Sequence, residues 1–138
     1  MGRPHKGGTM WHRKSKYNAK KVVVNGELYD SKKEAKRGVE LGLLEQAGKI
    51  TNIRRQVKYT LIPAQREPDI VGPKGGVKRG KTIEQELAYI ADFIYTDLET
   101  GETVVEDVKG YRDGGAYRVF SIKRKLMLWL FGIRVKEV

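Results

Sequence analysis

The segment Glu86–Tyr95 (ELAYIADFIY) constrains the fold more than any other part of the chain. Residues of equal parity share one face of a strand. Leu87, Tyr89, Ala91 and Phe93 form one face, and Ala88, Ile90, Asp92 and Ile94 form the other. A strand apolar on both faces belongs in the middle of a sheet that is covered on both sides. Asp92 breaks that pattern. An ionised carboxylate in such a strand is costly unless it is paired or bound to a cation.

The next strand, Thr103–Lys109 (TVVEDVK), repeats the anomaly. Asp107 and Lys109 share a face with Val105, while Val104, Glu106 and Val108 take the other. A four-residue loop over Leu98–Gly101 pairs Asp97 with Glu102 and sets Asp92 directly opposite Asp107. Such partners lie about 5 Å apart at Cβ. A three-residue loop would pair Asp92 with Val108 instead. Two carboxylates that close repel unless a cation lies between them. The alternative is a surface hairpin whose acids pair with Lys and Arg.

The remaining elements are indicated by local signals. Val22–Val24 and Glu27–Tyr29 flank Asn25-Gly26 and predict a tight hairpin. Ser31-Lys32-Lys33-Glu34 has the capping-box pattern and opens a helix to about Ala47, stopped by Gly48. Ile53–Ile62 alternates as a strand, with Val57, Tyr59 and Leu61 on one face. Residues 63–82 predict a long flexible loop, and 110–118 a shorter glycine-containing one. Val119–Phe131 is a helix ended by Gly132, and Ile133–Val138 a last strand. The expectation is an α/β (α+β) domain over 17–138, with a mixed central sheet between two helices and an N-terminal hairpin.

Charge indicates the partner. The chain carries 28 Lys+Arg against 17 Asp+Glu, a net charge of +11, which suits a polyanion such as DNA. Residues 1–26 hold seven basic residues and no acid, so 1–16 is expected to be a flexible basic arm. Within it Arg3, Lys6, Arg13, Lys14 and Lys16 are candidate DNA contacts, and Trp11 and Tyr17 could stack on bases. Lys74, Lys78, Arg79 and Lys81 are further DNA-binding candidates in the 63–82 loop. The absence of Cys excludes disulfides and thiolate metal sites and suits a reducing compartment. No apolar stretch has the length of a membrane span, and no secretory signal is expected.

Ser31-Lys32-Lys33-Glu34-Ala35, Ala91-Asp92-Phe93 and Glu106-Asp107-Val108-Lys109-Gly110 occur in that order. They resemble the motifs of the PD-(D/E)XK nuclease superfamily over about residues 17–138, especially its small phage and prophage endonucleases. The resemblance implies a restriction-endonuclease-like αβββαβ core. It also implies a Mg²⁺-dependent endodeoxyribonuclease, with Mn²⁺ as a substitute. Asp92, Asp107 and the Val108 carbonyl would hold the metal, with Glu34 as a further ligand. Lys109 would orient or activate the attacking water. The catalytic set is then Glu34, Asp92, Asp107 and Lys109. Glu106 stands beside Asp107 and competes for the ligand role, and parity with Lys109 favours Asp107. Ala91 departs from the Pro of the motif. Holliday junction resolvases of this kind act as homodimers on branched DNA in recombination. That implies a homodimer on branched or duplex DNA in the bacterial or phage-infected cytoplasm.

Several assignments have competing explanations. Glu34 is a catalytic acid by resemblance, yet its place after Ser31 is explained equally by helix capping. Lys123 and Lys125 are either phosphate contacts or a solvated helix face. Gly75–Thr82 (GGVKRGKT) fits the Walker A pattern, but a phosphate-binding loop requires a strand before it and a helix after it. An NTPase is therefore a remote alternative. A basic DNA-binding module without catalysis is the principal one.

Overall fold

A computed structural model describes residues 21–138. The basic arm expected over 1–16, with Arg3, Lys6, Arg13, Lys14 and Lys16, lies outside the described residues, as do Trp11 and Tyr17. Strands β1 (Val22–Val24) and β2 (Glu27–Tyr29) pair across Asn25 and Gly26. Both turn residues have positive φ (52° and 80°), as a primed turn requires. Helix α1 (Lys32–Gln46) starts at Ser31, whose hydroxyl accepts from the Glu34 N–H. It ends before Gly48, where φ is 73°.

The central sheet has four strands in the order β10–β9–β8–β3. β3 (Ile50–Ile62) and β9 (Thr103–Asp107) are both antiparallel to β8 (Leu87–Asp97). β10 (Lys136–Glu137) is parallel to β9, so the sheet is mixed. Helix α2 (Gly114–Phe131) and α1 flank it, each with its own apolar cluster. Tyr29, Ala35, Leu41, Phe93 and Tyr95 pack on the α1 side, and Tyr89, Ala91, Ile94, Val105, Phe120 and Met127 on the α2 side.

The structure departs from the sequence expectations at four places. Residues 63–82 are not an irregular loop. β4 (Gln65–Arg66) pairs with β7 (Thr82–Glu84), and β5 (Ile70–Val71) pairs with β6 (Val77–Lys78). They form a two-stranded ribbon that continues the β3–β8 hairpin. Scattered Pro and Gly hid a hairpin whose strands are only two or three residues long. Helix α2 begins five positions before Val119, because Asp113 caps it by accepting from the Gly114 N–H at 2.7 Å. The last strand is shorter than Ile133–Val138, although Val138 extends it by backbone bonds with Asp107 and Lys109.

The fourth departure concerns the faces of β8. Strict alternation would put Ala91 and Phe93 on the same side, but they belong to opposite clusters. The strand changes face at Asp92. β3 does the same: Ile53 packs on the α1 side, Val57 and Tyr59 on the α2 side. Between them lies Gln56, whose φ of 52° is in the left-handed region. The pairs Arg55↔Phe93 and Val57↔Ala91 put Gln56 opposite Asp92. One left-handed residue in a strand rotates the residues after it, as in a bulge. The sheet is kinked where the anomalous acid sits.

Candidate active site

The register of β8 and β9 brings the acids together. Phe93 pairs with Glu106, Ile94 with Val105 and Thr96 with Thr103, and the Asp97 N–H donates to the Glu102 carbonyl at 2.9 Å. The connecting loop is therefore Leu98–Gly101, and the next step of the ladder is Asp92 against Asp107. The backbone pairing stops one step short of it. The Asp92 carboxylate takes the place of the ladder by accepting from the Val108 N–H at 2.7 Å. Beyond this point β8 pairs only with β3, so the strands open on either side of the two acids.

Each acid is held by identifiable donors. Asp107, 7% exposed, accepts from the Tyr89 hydroxyl at 2.8 Å and pairs with Lys109 Nζ at 2.7 Å. The Lys109 ammonium also lies 3.3 Å from the centre of the Phe120 ring, a cation–π arrangement. Lys33 Nζ donates to the Lys109 carbonyl, which ties α1 to the end of β9. Asp92 accepts a second bond from the Gln56 amide, at 3.3 Å.

Glu34 belongs to this group. It is 4% exposed, and its side chain accepts from the same Gln56 amide at 3.1 Å and lies 3.6 Å from the Arg55 guanidinium. Half of the capping explanation holds, since the Glu34 N–H bonds Ser31. The Glu34 carboxylate itself turns inward. Glu106 does not join the site. It is fully buried on the α1 side, gripped by Arg37 at 2.9 and 2.6 Å and by the Tyr95 hydroxyl at 2.5 Å. Burial alone would raise its carboxyl, but the Arg37 and Tyr95 bonds outweigh burial and hold it below the usual range. Of the two neighbouring acids, Asp107 is the one beside Asp92.

The electrostatics are short of positive charge. Burial, together with the charges of Asp107 and Glu34, pushes the Asp92 carboxyl up to about 7, against the opposing bonds from Val108 and Gln56. Three carboxylates share Lys109 and part of Arg55, which is also bonded to Glu27. A divalent cation would supply the missing charge, and oxygen donors suit a hard ion. Among the described residues, no three His or acidic side chains stand close enough together to hold an ion on their own. The hard oxygen donors that the strands bring together are the carboxylates of Asp92 and Asp107, with the Val108 backbone bonded to Asp92 through its N–H. Glu34 is coupled to Asp92 through Gln56.

Lys74, Lys78, Arg79 and Lys81 are exposed on the ribbon. Residues 75–82, with the Walker A letters, run through β6 into β7, and no helix follows them. Lys123 borders a shallow cleft with Tyr89 and Phe120, next to the partners of Asp107 and Lys109. Lys125 is exposed two positions further on, about 200° around the helix, so the two lysines face different ways. Gln56, Tyr89 and Lys33 were not singled out by sequence. Gln56 looked like an outward residue of an alternating strand, and no sequence signal betrays its positive φ.

Fold and site define an α+β domain with a mixed sheet and a buried acid–lysine cluster where two central strands part. Over residues 14–136 the chain matches the family described as Protein of unknown function (DUF1064), and it belongs to that family. No curated protein and no solved structure matches it.

Proposed function

We propose that the protein is a metal-dependent DNA endonuclease that hydrolyses phosphodiester bonds at Asp92, Asp107 and Lys109. The observation that carries this reading is the meeting of Asp92 and Asp107 where β8 and β9 part. Burial, with the charges of Asp107 and Glu34, pushes the Asp92 carboxyl up to about 7, and Lys109 is bonded to the other acid. A structural ion pair would leave no carboxyl so raised. Asp92, Asp107 and the Val108 carbonyl would hold Mg²⁺, or Mn²⁺ in its place. When bound, the ion polarises a phosphoryl oxygen and acidifies water.

The chain's own groups do the rest. Lys109 turns from Asp107 toward the scissile phosphate, steadies the negative charge that develops on it and orients the attacking water. Tyr89 keeps Asp107 directed into the site after Lys109 moves. Glu34, through the shared Gln56 amide, steadies the Asp92 carboxylate beside Asp107. The net charge of +11 favours a nucleic-acid substrate. Branched DNA acted on by a homodimer is the substrate form that the motif resemblance favours.

The test is incubation of the protein with a labelled four-way junction, a matched duplex and a single strand, in Mg²⁺ or EDTA. The reading expects cleavage in Mg²⁺ only, lost in Asp92→Asn. Tight binding without cleavage in Mg²⁺ or Mn²⁺ would establish the non-catalytic module instead.

A further inference from the structure

We infer that the ribbon built from β4, β5, β6 and β7 is a DNA-reading arm that lies in the major groove of a duplex. From Ile70 to Lys81 it carries Lys74, Lys78, Arg79 and Lys81 and no acid. A ribbon in a globular protein normally buries one of its faces, but this one buries neither. Val71 pairs with Val77 on one face and Ile70 with Lys78 on the other, and the three apolar side chains are 63–69% exposed. One face thus sets the Lys78 cation beside the unburied methyls of Ile70, and the other presents the methyls of Val71 and Val77. That combination suits phosphates at the rim of a groove and thymine methyls on its floor.

The ribbon is also a defined shape. Gly80 is buried so closely against Glu67 and Pro68 that an added Cβ would fall 1.8 Å from the Glu67 carbonyl. The Gly80 N–H donates to Asp69 at 2.9 Å, and the Arg66 guanidinium bonds the Gly80 carbonyl at 3.2 Å. At the tip, the Gly72 N–H bonds the Gly76 carbonyl at 2.7 Å. The Gly75 N–H bonds the Gly72 carbonyl at 3.0 Å, which turns the chain at Pro73 and Lys74 and sets the Lys74 cation at the leading edge.

Two paired strands with their side chains are about 10 Å across. A B-form major groove, ~12 Å wide, admits such a ribbon, whereas a minor groove of ~6 Å does not. The deep, narrow major groove of A-form RNA excludes it too. β8 carries the ribbon at one end and Asp92 in the middle. At about 3.3 Å per residue, Lys78 is at most ~45 Å from Asp92 along the chain, so the grip falls within about one and a third helical turns of the carboxylates. The choice of DNA as the polyanion rests on the hydrolase reading, but binding by the ribbon needs none of the acids.

The experiment is DNA binding in EDTA on a labelled duplex of about two helical turns. It compares wild type, Lys74→Ala/Lys78→Ala/Arg79→Ala and Val71→Ser/Val77→Ser, all substituted at exposed positions. The triple variant should lose at least ~10-fold in affinity, and its salt slope should fall by about 2.7. The serine variant should weaken severalfold with its slope unchanged, since it removes methyl contacts and no charge. Wild type should protect guanine N7, a major-groove atom, from methylation, and the triple variant should not. Unchanged affinity in both variants, or no N7 protection by wild type, would overturn the arm. So would self-association that the serine variant abolishes while DNA binding stays intact, because the occupant would then be a second copy. Ribbon-dependent binding without cleavage in Mg²⁺ removes the hydrolase reading and leaves the arm. Cleavage with ribbon-independent binding does the reverse.

Discussion

The Gln56 amide donates to Asp92 at 3.3 Å from a backbone position whose φ is 52°. A non-glycine residue in the left-handed region costs about 1–2 kcal/mol. The strain sits directly opposite the acid whose carboxyl is pushed up to about 7. Gln56→Gly should relieve the backbone while removing both amide bonds. Its melting temperature is expected to stay within a few degrees of wild type or to rise. Cleavage should fall about 10–100-fold, as positioning losses of this kind do. A large drop in melting temperature with unchanged activity of the folded fraction would assign Gln56 to stability alone.

Asp92 makes stability depend on pH in an unusual direction for a carboxylate. Its ordinary value of 3.8 rises to about 7 in the fold, mainly through burial. The folded state therefore holds the proton more tightly than the unfolded chain. The stabilisation is complete below pH 4 and is lost as pH rises through 7. Asp92→Asn does not titrate, so in EDTA it should overtake wild type between those limits. Above pH 8 it should be more stable by roughly 1–3 kcal/mol. Melting curves from pH 4 to 9 measure this. Parallel curves for the two proteins would mean that Asp92 is not the strained group.

Glu106 should behave as a structural acid. It is 0% exposed and doubly bonded to Arg37. Arg37→Met strands the carboxylate and should cost about 3–5 kcal/mol at neutral pH. Because the fold holds Glu106 below its ordinary value of 4.5, wild type keeps this contribution in full above pH 4.5 and loses it as pH falls below 4.5 through the lower folded value, so its advantage should shrink there. Specific activity of folded Arg37→Met should stay near wild type. A hundredfold loss of activity without destabilisation would move Glu106 into the catalytic set.

These contrasts mark what a sequence can disclose. Parity on β9 and the length of the Leu98–Gly101 loop are local, so the opposition of Asp92 and Asp107 could be counted in advance. The separation of Glu106 from Asp107 followed from parity as well. Parity failed on β8 because the left-handed backbone at Gln56 lies on another strand, 36 positions away in the chain. The inward turn of Glu34 depends on the same distant amide, so the capping pattern could not predict it. The ribbon was missed for a different reason. Each of its strands spans only two or three residues, too few to show alternation.

Lys109 gives the sharpest test, because it now occupies the position a cation would contest. Its ammonium pairs with Asp107 at 2.7 Å and lies 3.3 Å from the centre of the Phe120 ring. Lys109→Ala removes a competitor for the Asp107 oxygens. The rise in melting temperature on adding Mn²⁺ should therefore be larger in the variant than in wild type. Without metal the variant should melt lower, since Asp107 is left with only the Tyr89 hydroxyl, and an unpaired buried charge costs a few kcal/mol. Cleavage should fall at least ~100-fold, because no neutral group replaces the charge offered to the phosphate. DNA affinity should change little, as 27 other Lys and Arg residues remain of the 28. A purely structural lysine would lower the melting temperature and leave the specific activity of the folded protein intact. Folded Lys109→Ala that still cleaves DNA in Mg²⁺ at the wild-type rate would remove Lys109 from the reaction.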